Sequence, residues 1–168
     1  MVDGKIEAKF EMIVAAVAEH LKPLGFSKRS HGFHRLLNGN VALIEFQRSV
    51  ANDHGLLRFT MNVGVVSGRL ASKEAIDIKR VGSSGAHLRK RLGEFLPQRF
   101  DKWWELNASE PANAAIWEIL ELLRSHVIPF LDQHISDDAL IALWETGRSP
   151  GLTEKQRTRY LDELRLGV

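Results

Sequence analysis

The residues best equipped for chemistry in this chain are seven histidines and a short serine turn. His31 and His34 stand three apart at the approach to a predicted strand, a spacing that sends them to opposite faces and prevents joint metal ligation. No His-Glu-x-x-His pattern occurs, and the chain has no cysteine, which excludes thiolate nucleophiles, disulfides and sulfur-ligated zinc. Gly82-Ser83-Ser84-Gly85 lacks the Gly-Lys-Ser/Thr of a phosphate-binding loop and reads as a flexible turn. Ser83 and Ser84 have His87 close in sequence, but a nucleophile and its base are paired in space, so this proximity assigns no role. No catalytic residue, metal or cofactor is expected.

A polar sheet face is the better candidate. From Leu57 to Val66 the residues alternate, with Leu57, Phe59, Met61, Val63 and Val65 on one side and Arg58, Thr60, Asn62 and Gly64 on the other. Glu45 and Gln47 belong to the polar side of the preceding strand, and either His87, Arg89 and Arg91 or Lys90 to that of a later one. Trp103 and Trp104 are consecutive, so on a strand they face opposite ways and cannot share one core. An indole left outside beside arginines can stack on a ring, a base or a partner side chain. The expected binding residues are therefore Gln47, Arg58, Thr60, Asn62, Arg89, Arg91, Trp103 and Trp104.

Charge points the same way. Residues 21 to 100 hold 14 Lys or Arg against 5 Asp or Glu, whereas residues 109 to 145 hold 1 against 7. The asymmetry suits either an anionic partner or attraction between the two halves. A net charge of only +2 argues against strong nonspecific nucleic-acid binding. The expected function is a non-catalytic binding module that engages another protein or an anionic ligand through its basic face. A small-molecule enzyme with its site beneath the 67–86 connection, and a weak nucleic-acid binder, are the alternatives.

These side chains need elements to position them. With 44% apolar and 26% charged residues, the 168-residue chain can form one domain with one core. Ile6, Phe10, Ile13, Val14, Val17 and Leu21 recur at helical spacing, and Pro23 and Gly25 end that helix. Two strands from Phe33 to Ser49 meet at Asn38-Gly39, a pair suited to a type I′ turn. After the strand at Leu57 to Val66 comes an aperiodic connection, within which Leu70 to Ile78 suits a brief helix. His87 to Leu92 and Lys102 to Leu106 read as two further strands.

From Pro111 a helical stripe runs through Ile116, Ile119, Leu120, Leu123, Val127, Phe130 and Leu131, with Pro129 expected to kink or end it. Ser136 caps a short helix, and Thr153 with Gln156 forms a capping box for a last one reaching Arg165. The expected fold is α+β: an antiparallel sheet of about five strands, with the N-terminal helix and C-terminal helices mainly on one face. The N-terminal ten residues lack the basic-then-apolar order of a secretory signal, and no run approaches the ~20 apolar residues that span a bilayer. A cytoplasmic protein without a membrane partner is expected.

Leu21-Lys22-Pro23-Leu24-Gly25-Phe26, Phe46-Gln47-Arg48-Ser49, Phe59-Thr60-Met61-Asn62-Val63-Gly64-Val65, Arg91-Leu92-Gly93 and Asp101-Lys102-Trp103-Trp104 occur in this order. Together they resemble the bacterial family catalogued as domain of unknown function 4304. The resemblance covers roughly residues 13 to 131 and leaves a helical extension, 136–165, outside it. It implies a bacterial origin and supports the fold, and it carries over no catalytic residue.

Overall fold

A computed structural model describes residues 1–98 and 100–167. Helix α1 (Gly4–Leu21) starts at Asp3, whose carboxylate accepts a hydrogen bond from the Lys5 N–H at 2.7 Å. It buries the predicted stripe, Ile6, Phe10, Ile13, Val14, Val17 and Leu21. The proline–glycine signal works in two stages: a 3₁₀ turn over Lys22–Leu24, then Gly25 at φ 87°.

Strands β1 (Ser27–Arg29), β2 (Gly32–Leu37), β3 (Asn40–Arg48), β4 (Leu57–Val66) and β5 (Leu88–Arg91) are neighbours in that order, all antiparallel. Strand β6 (Trp104–Leu106) pairs with Leu57–Phe59 of β4, whereas β5 pairs with its residues Asn62–Val65. The β2–β3 turn has Asn38 at φ 52° and Gly39 at φ 83°, as a type I′ turn requires. β1 is an addition to the expected sheet: its three residues are all exposed.

One face of the sheet meets α1 and the C-terminal helices. Phe10 lies edge-on to Phe46 and Phe59 at ring centroid distances of 5.6 and 5.3 Å, and Phe59 stacks on Trp104 at 5.7 Å. The other face is not wholly open. Helix α2 (Gly68–Lys73) and the chain after it fold back across its far end, where Val41, Leu43 and Val66 pack with Ala71, Val81 and Ala86 in a small second core. The aperiodic connection is thus held down by apolar contacts, and its short helix falls within 68–73 instead of 70–78.

Helix α3 (Asn113–Leu122) begins two residues after Pro111. It passes through a π turn, Leu123–Val127, into α4 (Ile128–His134) without ending at Pro129. The Ile128 N–H reaches back five residues to the Leu123 carbonyl, so the wider turn absorbs a proline whose ring cannot fit a regular α-helical turn. Ser136 caps α5 (Asp137–Glu145) by accepting from the Ala139 N–H. The Thr153–Gln156 capping box opens α6 (Glu154–Arg165), with both reciprocal bonds present at 3.2 and 2.9 Å. Leu140, Trp144, Leu161 and Leu164 of this pair are buried in the main core. Among the described residues, no helix is long and apolar enough to cross a membrane.

Candidate functional site

Register builds the polar face in rows. Asn62 of β4 lies between Glu45 of β3 and Arg91 of β5, and the next row holds Leu43, Gly64 and Arg89. Lys90 pairs with Val63, so it faces the opposite way, with its ammonium 4.3 Å from the centre of the Phe95 ring.

A cavity of about 350 Å³ opens on this face, lined by Gln47, Asn62, Ser83, Ser84, Arg89, Lys90, Arg91, Glu94 and Gly151. That volume lies at the small end of the ~300–1,000 Å³ typical of ligand pockets. β3 and β4 supply a floor of two amides, the Asn62 side-chain N–H donating to the Gln47 carbonyl at 2.8 Å. The Ser83–Ser84 turn forms one wall and is pinned to the sheet, since the Ser83 N–H donates to the Glu45 carboxylate at 2.8 Å. Gly151, in the loop between α5 and α6, forms part of another.

Arg89 ties that loop to the sheet. Its guanidinium donates to the carbonyls of Ser84 at 3.2 Å and Gly151 at 2.6 Å, and its backbone N–H donates to the Pro150 carbonyl. Gly151 has φ 76°, and a Cβ there would lie 2.5 Å from that of Arg89, so both conformation and space require glycine. Among the described residues, Arg89 meets no carboxylate. Its Nε is buried without a hydrogen-bond partner. A half-buried cation held only by neutral carbonyls is an unbalanced charge at the cavity wall.

Arg91 is balanced. One of its terminal nitrogens donates to both Asp101 oxygens at 2.7 and 2.8 Å, and this bond, helped by the Trp103 indole N–H, holds the Asp101 carboxyl below its ordinary range. The Arg91 backbone N–H donates to Glu94 at 2.6 Å. The Trp103 ring lies 5.6 Å from the Arg91 guanidinium.

Of the eight expected residues, Gln47, Asn62, Arg89 and Arg91 therefore share one cavity, and Trp103 stands beside it. Arg58 is apart, paired with Glu105 at 2.8 Å. Thr60 and Trp104 do not present themselves to a ligand, and their placement on a binding face is corrected. Thr60 is fully buried because the chain crossing at Lys102 covers it, its hydroxyl donating to the Lys102 carbonyl at 2.8 Å. Trp104 is the tryptophan that joins the core, and its indole N–H donates to Glu118 at 2.9 Å. Sequence reading missed Ser83 and Ser84 as cavity walls, having taken them only as a turn, and also Glu94 and Gly151.

Three of the histidines make contacts that tie the chain together. His31 lies 2.9 Å from Glu11, and His34 lies 3.0 Å from the Val81 carbonyl. His87 is fully buried, accepts from the Ser67 N–H at 3.0 Å, and lies 3.3 Å from Glu74 and edge-on to Tyr160. Although Ser67, His87 and Glu74 have the residue types of a catalytic triad, the Ser67 hydroxyl caps α2 by accepting from the Leu70 N–H, so it is not aimed at the imidazole. Burial lowers the His87 pKa, only partly offset by Glu74. Among the described residues, no group of three or more histidines and carboxylates is placed to hold a metal ion.

Fold and site together define an α+β domain whose antiparallel sheet carries a small polar cavity on the face away from its main core. The chain belongs to the family described as domain of unknown function (DUF4304), whose model matches residues 17–133. No curated protein and no solved structure matches the chain. The matched segment contains the cavity floor and the arginines, while Gly151 lies beyond it.

Proposed function

We propose that this chain is a non-catalytic binding module that takes a small anionic ligand, or the acidic group of a partner protein, into the cavity on its polar sheet face. The observation that carries this reading is the convergence of Gln47, Asn62, Arg89 and Arg91, from three strands, on one cavity in which Arg89 has no carboxylate partner among the described residues. An anion there supplies the missing counter-charge, and the ligand is compact because the space is near 350 Å³. A bacterial, cytoplasmic setting belongs to the same reading.

A second reading keeps the cavity and adds chemistry. Ser83 and Ser84 end the 67–86 connection and line the same space, so a small-molecule enzyme would work there, at the edge of the connection, since the ground beneath it is filled by Val41, Leu43 and Val66. Nucleic-acid binding has less support, because Arg58 and Arg91 are already paired with carboxylates.

The test is a thermal-shift screen of anionic metabolites on the whole chain at low and high salt, combined with capture of partners by wild type and Arg91→Glu. A stabilising anion whose effect weakens with salt, or a partner lost on charge reversal, supports the proposal. A screen with no stabilised hit, together with capture indifferent to Arg91→Glu, overturns it.

A further inference from the structure

Glu94 brings an exposed carboxylate to the rim of the cavity. Among the described residues it meets no cationic side chain; its carboxylate only accepts from the Arg91 backbone N–H. Among the same residues the Arg89 guanidinium, on the same cavity, hydrogen-bonds only to carbonyls. Among the described charged groups of the lining, Arg89 and Glu94 thus have no oppositely charged side chain, Arg91 is neutralised by Asp101, and the Lys90 ammonium lies over the Phe95 ring. A dianion would satisfy Arg89 and be repelled by Glu94, whereas a molecule carrying one charge of each sign satisfies both.

The floor adds a third feature. The Asn62–Gln47 bond uses one of the four N–H groups and one of the two carbonyls of the amide pair, leaving three N–H groups and the Asn62 carbonyl for a ligand at the cavity floor. Reversing both amide planes would leave the same inventory. A donor and an acceptor side by side match a carboxamide.

Resting on the anion-binding reading above, we infer that the ligand is a small zwitterion of the α-amino-acid class with a carboxamide side chain. Its carboxylate pairs with Arg89, its ammonium group pairs with Glu94, and its amide lies against Gln47 and Asn62. Arg91, held by Asp101, makes no ion pair with the ligand, but it lines the same cavity, so reversing its charge would set a second carboxylate beside Asp101 and repel the ligand's anionic group.

The experiment is calorimetric titration of the full chain with L-glutamine, N-acetyl-L-glutamine, L-glutaminamide and L-norleucine. L-glutamine should bind best, with at least tenfold losses for the acetylated form (no ammonium), the amide form (no carboxylate) and norleucine (no carboxamide). Glu94→Gln, which retains an acceptor for the Arg91 N–H, should bring free and acetylated glutamine to within threefold of each other. Arg89→Gln should abolish the preference for the acid over the amide; if it disturbs the fold through Gly151, the Glu94→Gln result still decides.

N-acetyl-L-glutamine binding as well as L-glutamine would overturn the zwitterion while leaving an anion site intact. No heat with any of the four, alongside a stabilising anion or an Arg91-dependent partner in the broader screen, would overturn this inference alone. Failure of both experiments would remove the binding module itself.

Discussion

Arg91 holds Asp101 through a single terminal nitrogen, 2.7 and 2.8 Å from the two carboxylate oxygens, so one surface aspartate neutralises one of the two arginines that β5 brings to the cavity. Because the pair is partly exposed, its value for stability is small. Its value for the site is in keeping Arg91 occupied. Asp101→Asn should free that guanidinium and raise the affinity for a purely anionic ligand several-fold, read by titration with N-acetyl-L-glutamine.

The depressed pKa of Asp101 has a sign that can be checked. A carboxyl whose pKa is lower in the folded than in the unfolded chain adds stability above the unfolded value, near ~3.9, and loses it as pH falls through the folded value. Carbon-detected NMR titration should find Asp101 ionised below the ordinary aspartate range, and Arg91→Gln should move it back toward ~3.9. An unmoved titration would mean that Arg91 is not the cause.

His87 titrates in a more accessible window. Burial lowers its folded pKa, so the unfolded chain binds a proton first as pH drops below about 6.5. Ser67, Glu74 and Tyr160 surround it, with Asp137 and Glu163 acting at longer range. Its contribution is complete above ~6.5 and falls by at most ~1.4 kcal/mol per pH unit below that, until the folded pKa is passed. Urea denaturation between pH 8 and 5 should show this decline, and His87→Gln should flatten it.

The two tryptophans should differ sharply. Trp104→Ala removes a ring stacked on Phe59 in the core and should cost ~3–5 kcal/mol in chemical denaturation. Trp103→Ala lies outside that core and should cost less than about 1 kcal/mol. Equal costs would contradict the assignment of faces.

Gly151→Ala combines a φ of 76° with a close approach to Arg89. It should lose ~1–3 kcal/mol and weaken any cavity ligand, because the loop must move off β5. Gly147→Ala, at φ 81° but with nothing near its Cβ, separates the backbone penalty from loss of the wall.

Much of this was readable from local pattern. Alternation along Leu57–Val66 sorted core from polar residues because strand geometry alone fixes the two faces. The Asn38-Gly39 turn and the Thr153–Gln156 box are signals completed within four residues. What escaped depended on distant chain. Ser27–Arg29 is too short and too polar to show a period, so its strand identity comes only from pairing with β2. Thr60 has the pattern of an outward residue and is buried because the segment at Lys102 crosses over it. Pro129 carries a helix-breaking signal that a π turn accommodates. Gly151 reaches the cavity only because α5 and α6 fold back on the sheet, which no window of sequence around Gln47 or Arg91 could show.

The family-matched segment ends at 133, yet the cavity draws one wall from beyond it, through Arg89 and Gly151. A ligand seated there would work as a fastener between the sheet and the loop joining α5 to α6: occupancy would slow amide hydrogen exchange in that loop as well as in β5. Conversely, because Leu140, Trp144, Leu161 and Leu164 bury α5 and α6 in the main core, the wall at Gly151 stays in place only as long as that core is intact.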